Sequence, residues 1–258
     1  MNQALLGDCL EIMPTLESGS VDCIITDLPY GTVQCRWDIR IPFEPLWKEY
    51  KRIIKQNGAI VLFASQPFTS VLIVSNLSWF KYCWVWEKDK AANILNANRQ
   101  PLKLHEDIAV FSDGQSDYYP QKESCKPYRH KNRNVLSGNF GNNGKDYNPD
   151  GYTEYNTTFP KSIMRFPKDL AGHGIHPTQK PVALIEYLVR TYTDEGETVL
   201  DSCAGSFTTA IACINTNRKY ICIEKDINYY SIGCKRIEQA QSQGTLFTAD
   251  GLHLNEEE

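Results

Sequence analysis

Apolar residues in this chain fall into two alternating spacings. Val21-Asp22-Cys23-Ile24-Ile25-Thr26 and Ala59-Ile60-Val61-Leu62-Phe63 are short, nearly continuous apolar runs. Such runs predict strands buried on both faces. Residues 3–6, 80–86, 108–111, 198–201 and 220–224 are further strand candidates. Between them the spacing becomes helical. Residues 10–17 predict a short helix interrupted or started by Pro14, and residues 43–55 carry Leu46, Tyr50, Ile53 and Ile54 on one face, with Asn57-Gly58 as the stop. Pro181 opens a helix with Leu184, Ile185, Leu188, Val189 and Tyr192 on one side. Gly196 ends that connection, and helices over 209–214 and about 229–241 follow. The β-α-β-α-β order predicts an α/β fold with a doubly wound, mostly parallel sheet.

The middle breaks this pattern. Residues 112–174 are rich in Asn, Gly, Tyr, Pro, Lys and Arg and show little periodicity. So long an irregular stretch predicts an inserted functional lobe or a partly disordered segment. The expected organisation is a catalytic half at 1–111, a lobe at 112–174 and a second half of the same domain at 175–258. Within the lobe, Lys122, Lys126, Arg129, Lys131 and Arg133 stand against one acid, Glu123, over residues 121–133. Tyr118, Tyr119, Tyr128, Tyr147, Tyr152 and Tyr155 lie in or near that segment. Cations interleaved with aromatics suit phosphate contact and base stacking; a solvated, tyrosine-rich loop is the plainer reading.

Composition narrows the class. The 258 residues are 41% hydrophobic and 22% charged, as in a soluble globular protein. No apolar stretch reaches the roughly 20 residues that cross a bilayer, and the start lacks a basic leader, so a cytoplasmic protein without membrane contact is expected. The nine cysteines show no CxxC pair or zinc spacing, which points to reduced thiols and no metal. A net charge of −4 gives no global pull toward polyanions, so any such contact is local.

Two places carry candidate chemistry. Asp27-Leu28-Pro29-Tyr30-Gly31 follows a predicted strand. Ligands bind past strand ends in open α/β sheets. A carboxylate, a proline-fixed backbone and an aromatic ring there suit a planar base and its amino group. The second place is a strand, the turn Ala204-Gly205-Ser206, a helix, and a strand ending in Glu224. That is the plan of a nucleotide-binding unit in which the acid accepts ribose hydroxyls. GxGxxG is absent, so a cofactor with ribose but no pyrophosphate, such as S-adenosylmethionine, fits better.

Together these segments resemble a known family. Asp27-Leu28-Pro29-Tyr30 resembles the DPPY motif of amino-group DNA methyltransferases. Gly7-Asp8-Cys9-Leu10, the run from His176 to Pro181, Leu200 to Thr209, and Ile223-Glu224 resemble that family's cofactor elements. The catalytic motif comes first and the cofactor motifs last, as in the permuted β class.

The resemblance implies a Rossmann-like, S-adenosylmethionine-dependent fold with circularly permuted motif order. Glu224 would hold the ribose. Asp201, Ala204, Gly205 and Ser206 would hold the cofactor's methionine part, with Thr178, Gln179 and Lys180 at its border and Lys180 on its carboxylate, and Thr208 would also bind the cofactor. Asp8 would approach the adenine, or cap a helix with Glu11 at capping-box spacing. Asp27 and a carbonyl of Leu28 or Pro29 would accept the amino N–H bonds of a flipped base, while Tyr30 stacks on it. Lys126, Arg129, Lys131 and Arg133 would contact duplex DNA.

The resemblance leaves room for a homodimer and for a companion restriction nuclease. Aspartate at position 27 favours adenine N6. Cytosine N4, RNA or protein-amide methylation, and a DNA-binding relative with weakened catalysis are the alternatives. Two positions depart from the family. Leu28 replaces a proline, and Phe207 replaces a second glycine, where a benzyl group either crowds the cofactor or points into helix packing.

Overall fold

The computed structural model describes residues 2–31, 39–131, 152–167 and 179–249. Thr178 and Arg133 lie outside them, as do His176 and Pro177 of the motif before Pro181. The chain divides into two compact units: Pro120–Lys161, and the residues before and after it.

The larger unit is built on an eight-stranded sheet. Its strands are β1 (Gln3–Leu6), β2 (Val21–Asp27), β3 (Ile54–Ala64), β4 (Phe80–Ala92), β5 (Lys103–Phe111), β8 (Ile163–Arg165), β9 (Thr198–Asp201) and β10 (Lys219–Glu224). The order across the sheet is β1-β10-β9-β2-β3-β5-β4-β8. Only β5 runs against the rest, pairing antiparallel with β3 and β4.

The apolar runs alternate between two cores. Ala59, Val61 and Phe63 of β3, with Ile108 and Val110 of β5, face one core. Ile60, Leu62 and Ala64, with Ala109 and Phe111, face the other. The first core is covered by α4 (Val182–Tyr192), α5 (Thr208–Asn215) and α6 (Ile227–Ala249). The second is covered by α1 (Cys9–Ile12), α2 (Phe43–Ile53) and α3 (Phe68–Ser75). Each fully buried Leu or Ile in these layers contributes roughly 1.5–3 kcal/mol of transfer free energy. The doubly wound α/β sheet is therefore as expected.

Several elements differ from expectation. The helix over 43–55 ends at Ile53, and Asn57-Gly58 lies inside β3. Val21 pairs with Ile54 but Cys23 with Ala59, so β3 bulges between those points. A Cβ on Gly58 would lie 2.5 Å from the Ile54 side chain and 2.7 Å from the Asp22 carbonyl. That glycine serves a close approach in a bulge and not a helix stop. The short first helix gives way to a 3-10 turn at Met13–Thr15, where Pro14 sits. α3 was not foreseen, because its short sequence FTSVLIVS carries an apolar run, Val71 to Val74, and shows no helical period.

The smaller unit also departs from the expected irregular lobe. Its described part is an antiparallel ribbon of β6 (Glu123–Lys131) and β7 (Tyr152–Thr158). Tyr118 and Tyr119 belong to the larger unit, where the Tyr119 hydroxyl donates to Asp194 at 2.8 Å.

Candidate active site

The sheet's winding changes face between β9 and β2. α5, which follows β9, covers one side; α2, which follows β2, covers the other. Such a switch point opens a crevice at the strand ends. β9 and β2 pair at Cys23–Val199 and Ile24–Leu200, and the ladder stops there. A cavity of about 510 Å³ lies at this place. Asp8, Asp27, Leu28, Pro29, Tyr30, Gln179, Lys180, Asp201, Ala204, Gly205, Ser206, Thr208 and Glu224 all line it. Residues as far apart in sequence as Asp8 and Glu224 therefore meet in one crevice.

Each candidate carboxylate is held differently. The Asp27 side chain is 22% exposed. Its Oδ1 accepts from the Tyr30 hydroxyl at 2.8 Å, and its Oδ2 from the Lys180 ammonium at 2.5 Å. Lys180 is itself 9% exposed and lies 3.4 Å from Glu106. Burial alone would lower its pKa, but Asp27 and Glu106 outweigh burial and leave it raised. The ammonium expected at the cofactor carboxylate is thus engaged by two protein carboxylates.

Asp201 is buried. Its Oδ1 accepts from the Thr26 hydroxyl at 2.8 Å and the Cys203 N–H at 3.1 Å, and its Oδ2 from the Thr209 hydroxyl at 2.5 Å. Burial outweighs these bonds and pushes its pKa up to about 6. Both oxygens serve the turn and the junction of β9 with β2. Glu224 accepts from the N–H groups of Gly205 and Asp226, each at 2.7 Å. Burial raises its pKa as well. Asp8 caps α1 by accepting from the Leu10 N–H at 2.9 Å, and pairs with Lys225 at 2.8 Å.

The two departures from the family pattern have physical accounts. Leu28 is 3% exposed and its side chain joins the second core. Phe207 takes a left-handed φ of 58°, a conformation that glycine adopts more easily. Its ring is fully buried, lies 5.9 Å from that of Tyr230 and does not line the cavity. A Cβ on Gly233 would fall 2.1 Å from the Phe207 ring, so the glycine on α6 makes room for it. The benzyl group points into helix packing.

Residues 21–235 match the family described as DNA methylase (N6_N4_Mtase). The chain belongs to this family. The methylase is 26% identical to the type II methyltransferase M.HpaI of Haemophilus parainfluenzae, over 92% of this chain and 75% of that protein. It is also 26% identical to the DNA adenine methyltransferase YhdJ of Escherichia coli K12, over 91% and 82%. Among solved structures it resembles the M1.HpyAVI–SAM complex, with a TM-score of 0.61 and 24% identity over 92% of this chain and 99% of that one. It likewise resembles the cytosine-N4-specific PvuII DNA methyltransferase, with a TM-score of 0.63 and 15% identity over 92% and 89%. The methylase is thus an S-adenosylmethionine-dependent enzyme of the class that methylates adenine N6 or cytosine N4 in DNA.

Of its candidate DNA contacts, Lys126 and Arg129 lie exposed on β6, and Arg129 approaches Glu154 at 3.8 Å. Lys131 ends β6, with its side chain outside the described residues. Sequence reasoning missed other residues at the crevice, namely Arg40, Lys225 and Tyr229, and Glu106 and Lys88 behind it, and gave no role to Cys9 or Cys203 within their motifs. It also missed Phe68, on which Tyr30 stacks with centroids 4.9 Å apart. Among the described residues no His, Cys, Asp and Glu group has the makings of a metal site. No described helix is long and apolar enough to cross a membrane. The eight described cysteines are free thiols.

Proposed function

We propose that this methylase transfers a methyl group from S-adenosylmethionine to N6 of a flipped adenine in duplex DNA. The observation that carries the proposal is one crevice holding both the Asp27-Leu28-Pro29-Tyr30 segment and the Gly205–Glu224 pair.

The residues present fit the cofactor. A cavity of about 510 Å³ lies in the range of small-molecule sites. Ala204 and Gly205 leave the turn open to close approach. Glu224 is fixed by two backbone N–H groups while it still faces the crevice, as a ribose-binding acid requires. When bound, the cofactor supplies an electrophilic methyl group on its sulfonium.

The chain supplies orientation and electrostatics. An exocyclic amine is a poor nucleophile, because its lone pair is delocalised into the ring. Asp27 Oδ1, which now accepts from Tyr30, is the acceptor for one amino N–H; a carbonyl of Leu28 or Pro29 takes the other. Holding both favours a more tetrahedral nitrogen with its lone pair toward the methyl group. Tyr30 has one face on Phe68 and lines the crevice, so its other face receives the base. Asp8, Gln179, Ser206 and Thr208 border the cofactor, with Thr178 beside them in sequence.

Aspartate at position 27 and the adenine specificity named for YhdJ support adenine over cytosine. The ribbon unit reads DNA through Lys126, Arg129, Lys131 and Arg133. Its exposed Tyr128–Tyr155 stack, at 5.4 Å, supports base or sugar contact. The type II designation of M.HpaI supports a role beside a nuclease that cuts the same site.

The test is transfer of labelled methyl from S-adenosylmethionine to duplex DNA, RNA and protein, followed by nucleoside analysis. Label in N6-methyladenine of DNA, lost in Asp27→Ala, is the expected result. Label in N4-methylcytosine overturns the adenine assignment, and label only in RNA or protein overturns the DNA substrate.

A further inference from the structure

Behind Asp27 lies a chain of alternating charge that the reaction described above does not use. Lys180 Nζ sits 2.5 Å from Asp27 Oδ2 and 3.4 Å from Glu106 Oε2. The other Glu106 oxygen, Oε1, accepts from Lys88 Nζ. The four side chains come from β2, β5, β4 and the residue preceding Pro181. Their exposures are only 22% for Asp27, 14% for Glu106, 10% for Lys88 and 9% for Lys180. The Lys88 ammonium lies 5.1 Å from the Trp86 ring centroid, and that of Lys180 lies 5.0 Å from the Phe63 centroid.

Burying four ions is costly, and well-packed apolar residues often serve stability as well or better. Glu106 Oε2 adds to the cost, because it is buried with an ion-pair partner but no hydrogen bond. Neutralising Lys180 needs only Asp27. A second carboxylate, itself anchored by a second lysine, does something further: it fixes where the Lys180 ammonium sits.

We propose that Glu106, anchored by Lys88, is a positioning residue that holds Lys180 against Asp27 Oδ2 and so presents Asp27 Oδ1 to the target amine. This rests on the methyltransferase reading and deepens it. With Oδ2 tied to Lys180, the carboxylate cannot turn freely about its terminal torsion. Oδ1 is then the oxygen left for exchange between the Tyr30 hydroxyl and a substrate N–H. It also gives Lys180 a role other than pairing with the cofactor's carboxylate. The charged and titratable groups facing Lys180 are Asp27 and Glu106. Tyr30 lies beyond Asp27, and Lys88 lies beyond Glu106. Together Asp27 and Glu106 hold the Lys180 pKa above its ordinary value.

The test compares wild type, Glu106→Gln, Glu106→Asp and Lys88→Met. Three quantities are read: the cofactor dissociation constant, the KM for unmethylated plasmid DNA, and the single-turnover rate of methyl transfer against pH. Misaligning a reacting group by about an ångström costs roughly 100-fold in rate. Glu106→Gln is therefore expected to slow transfer by roughly 10- to 100-fold, with cofactor affinity and KM near wild type. Its alkaline limb should move to lower pH, since Lys180 has lost one of two carboxylates. Glu106→Asp should recover part of the rate, and Lys88→Met should give the same split by a second route. Cofactor binding by each variant reports that it folds.

An active wild type with an equally fast Glu106→Gln overturns the positioning role. So does a rate loss matched by an equal loss of cofactor affinity, which would make the cluster part of the cofactor site. A wild type that transfers no methyl group overturns the methyltransferase reading itself, and the positioning role with it.

Discussion

Two aspartates end neighbouring strands and face the same crevice, yet they are held in opposite ways. Asp27, at the end of β2, has a tyrosine hydroxyl on one oxygen and a lysine on the other. Asp201, at the end of β9, has both oxygens filled by two hydroxyls and a backbone N–H, deep in the protein. In the proposed reaction the first exchanges a partner for substrate. The second ties Thr26 of β2 to Cys203 in the turn after β9 and to Thr209 of α5. Residue type and strand position do not separate these jobs; the identity of the hydrogen-bond donors does.

The comparison breaks most sharply at Asp27. Asp27→Asn keeps the shape but loses the acceptor charge, and methyl transfer should fall by roughly 10²–10³-fold or more. Cofactor affinity should stay near wild type, measured by equilibrium binding. If affinity falls as far as rate, Asp27 belongs with Asp201 as a structural carboxylate.

Next in size is the packing beside the turn at residues 204–206. Phe207→Gly relieves a left-handed φ worth about 1–2 kcal/mol, but empties a buried site whose loss typically costs about 3–5 kcal/mol. A net destabilisation of roughly 1–4 kcal/mol is expected in denaturant unfolding. Cofactor affinity should not tighten, because the ring does not line the cavity. Gly233→Ala should also destabilise, since its new Cβ meets the Phe207 ring at 2.1 Å. The two changes together should cost less than their sum.

Much of this was legible in the sequence, for a physical reason. Strands buried on both faces read as continuous apolar runs, so β2 and the apolar end of β3 stood out. The crevice was legible because strand-end carboxylates and small-residue turns are local signals. The β6–β7 ribbon was not, because it has no buried face to impose alternation: Lys126, Tyr128 and Arg129 are all exposed. Asn57-Gly58 misled because a glycine needed for close approach looks like one that ends a helix. Lys88 and Glu106 were missed because each alone reads as a solvated charge. Only the β4–β5 pairing, with Trp86 opposite Glu106, brings them together.

Asp201 supplies a pH test of its structural role. Its folded pKa of about 6 lies above the roughly 3.9 of an unfolded aspartate, so the folded chain holds that proton more tightly. Its contribution to stability is therefore greatest below about pH 4, falls as pH rises to about 6, and then stays constant. The fall amounts to roughly 2–3 kcal/mol. Asp201→Asn removes it, so the variant should gain on wild type between pH 4 and 6 in urea unfolding. A difference that stays flat across that window would show that the group does not titrate on folding.

The smallest expected effect separates two partners of Asp8. Its carboxylate caps α1 through the Leu10 N–H and also pairs with Lys225, whose side chain is 77% exposed. An exposed ion pair contributes about 0–1 kcal/mol, whereas a lost N-cap costs about 1 kcal/mol. Lys225→Ala should therefore change unfolding free energy by less than about 0.5 kcal/mol. Asp8→Ala should cost about 1 kcal/mol, and Asp8→Asn, which still caps, should recover most of it. Equal losses from Lys225→Ala and Asp8→Ala would mean that the ion pair, and not the cap, sets the start of α1 beside the crevice. If Asp8 also approaches the cofactor, Asp8→Asn separates the two roles, because it restores the cap while changing the charge presented to the crevice.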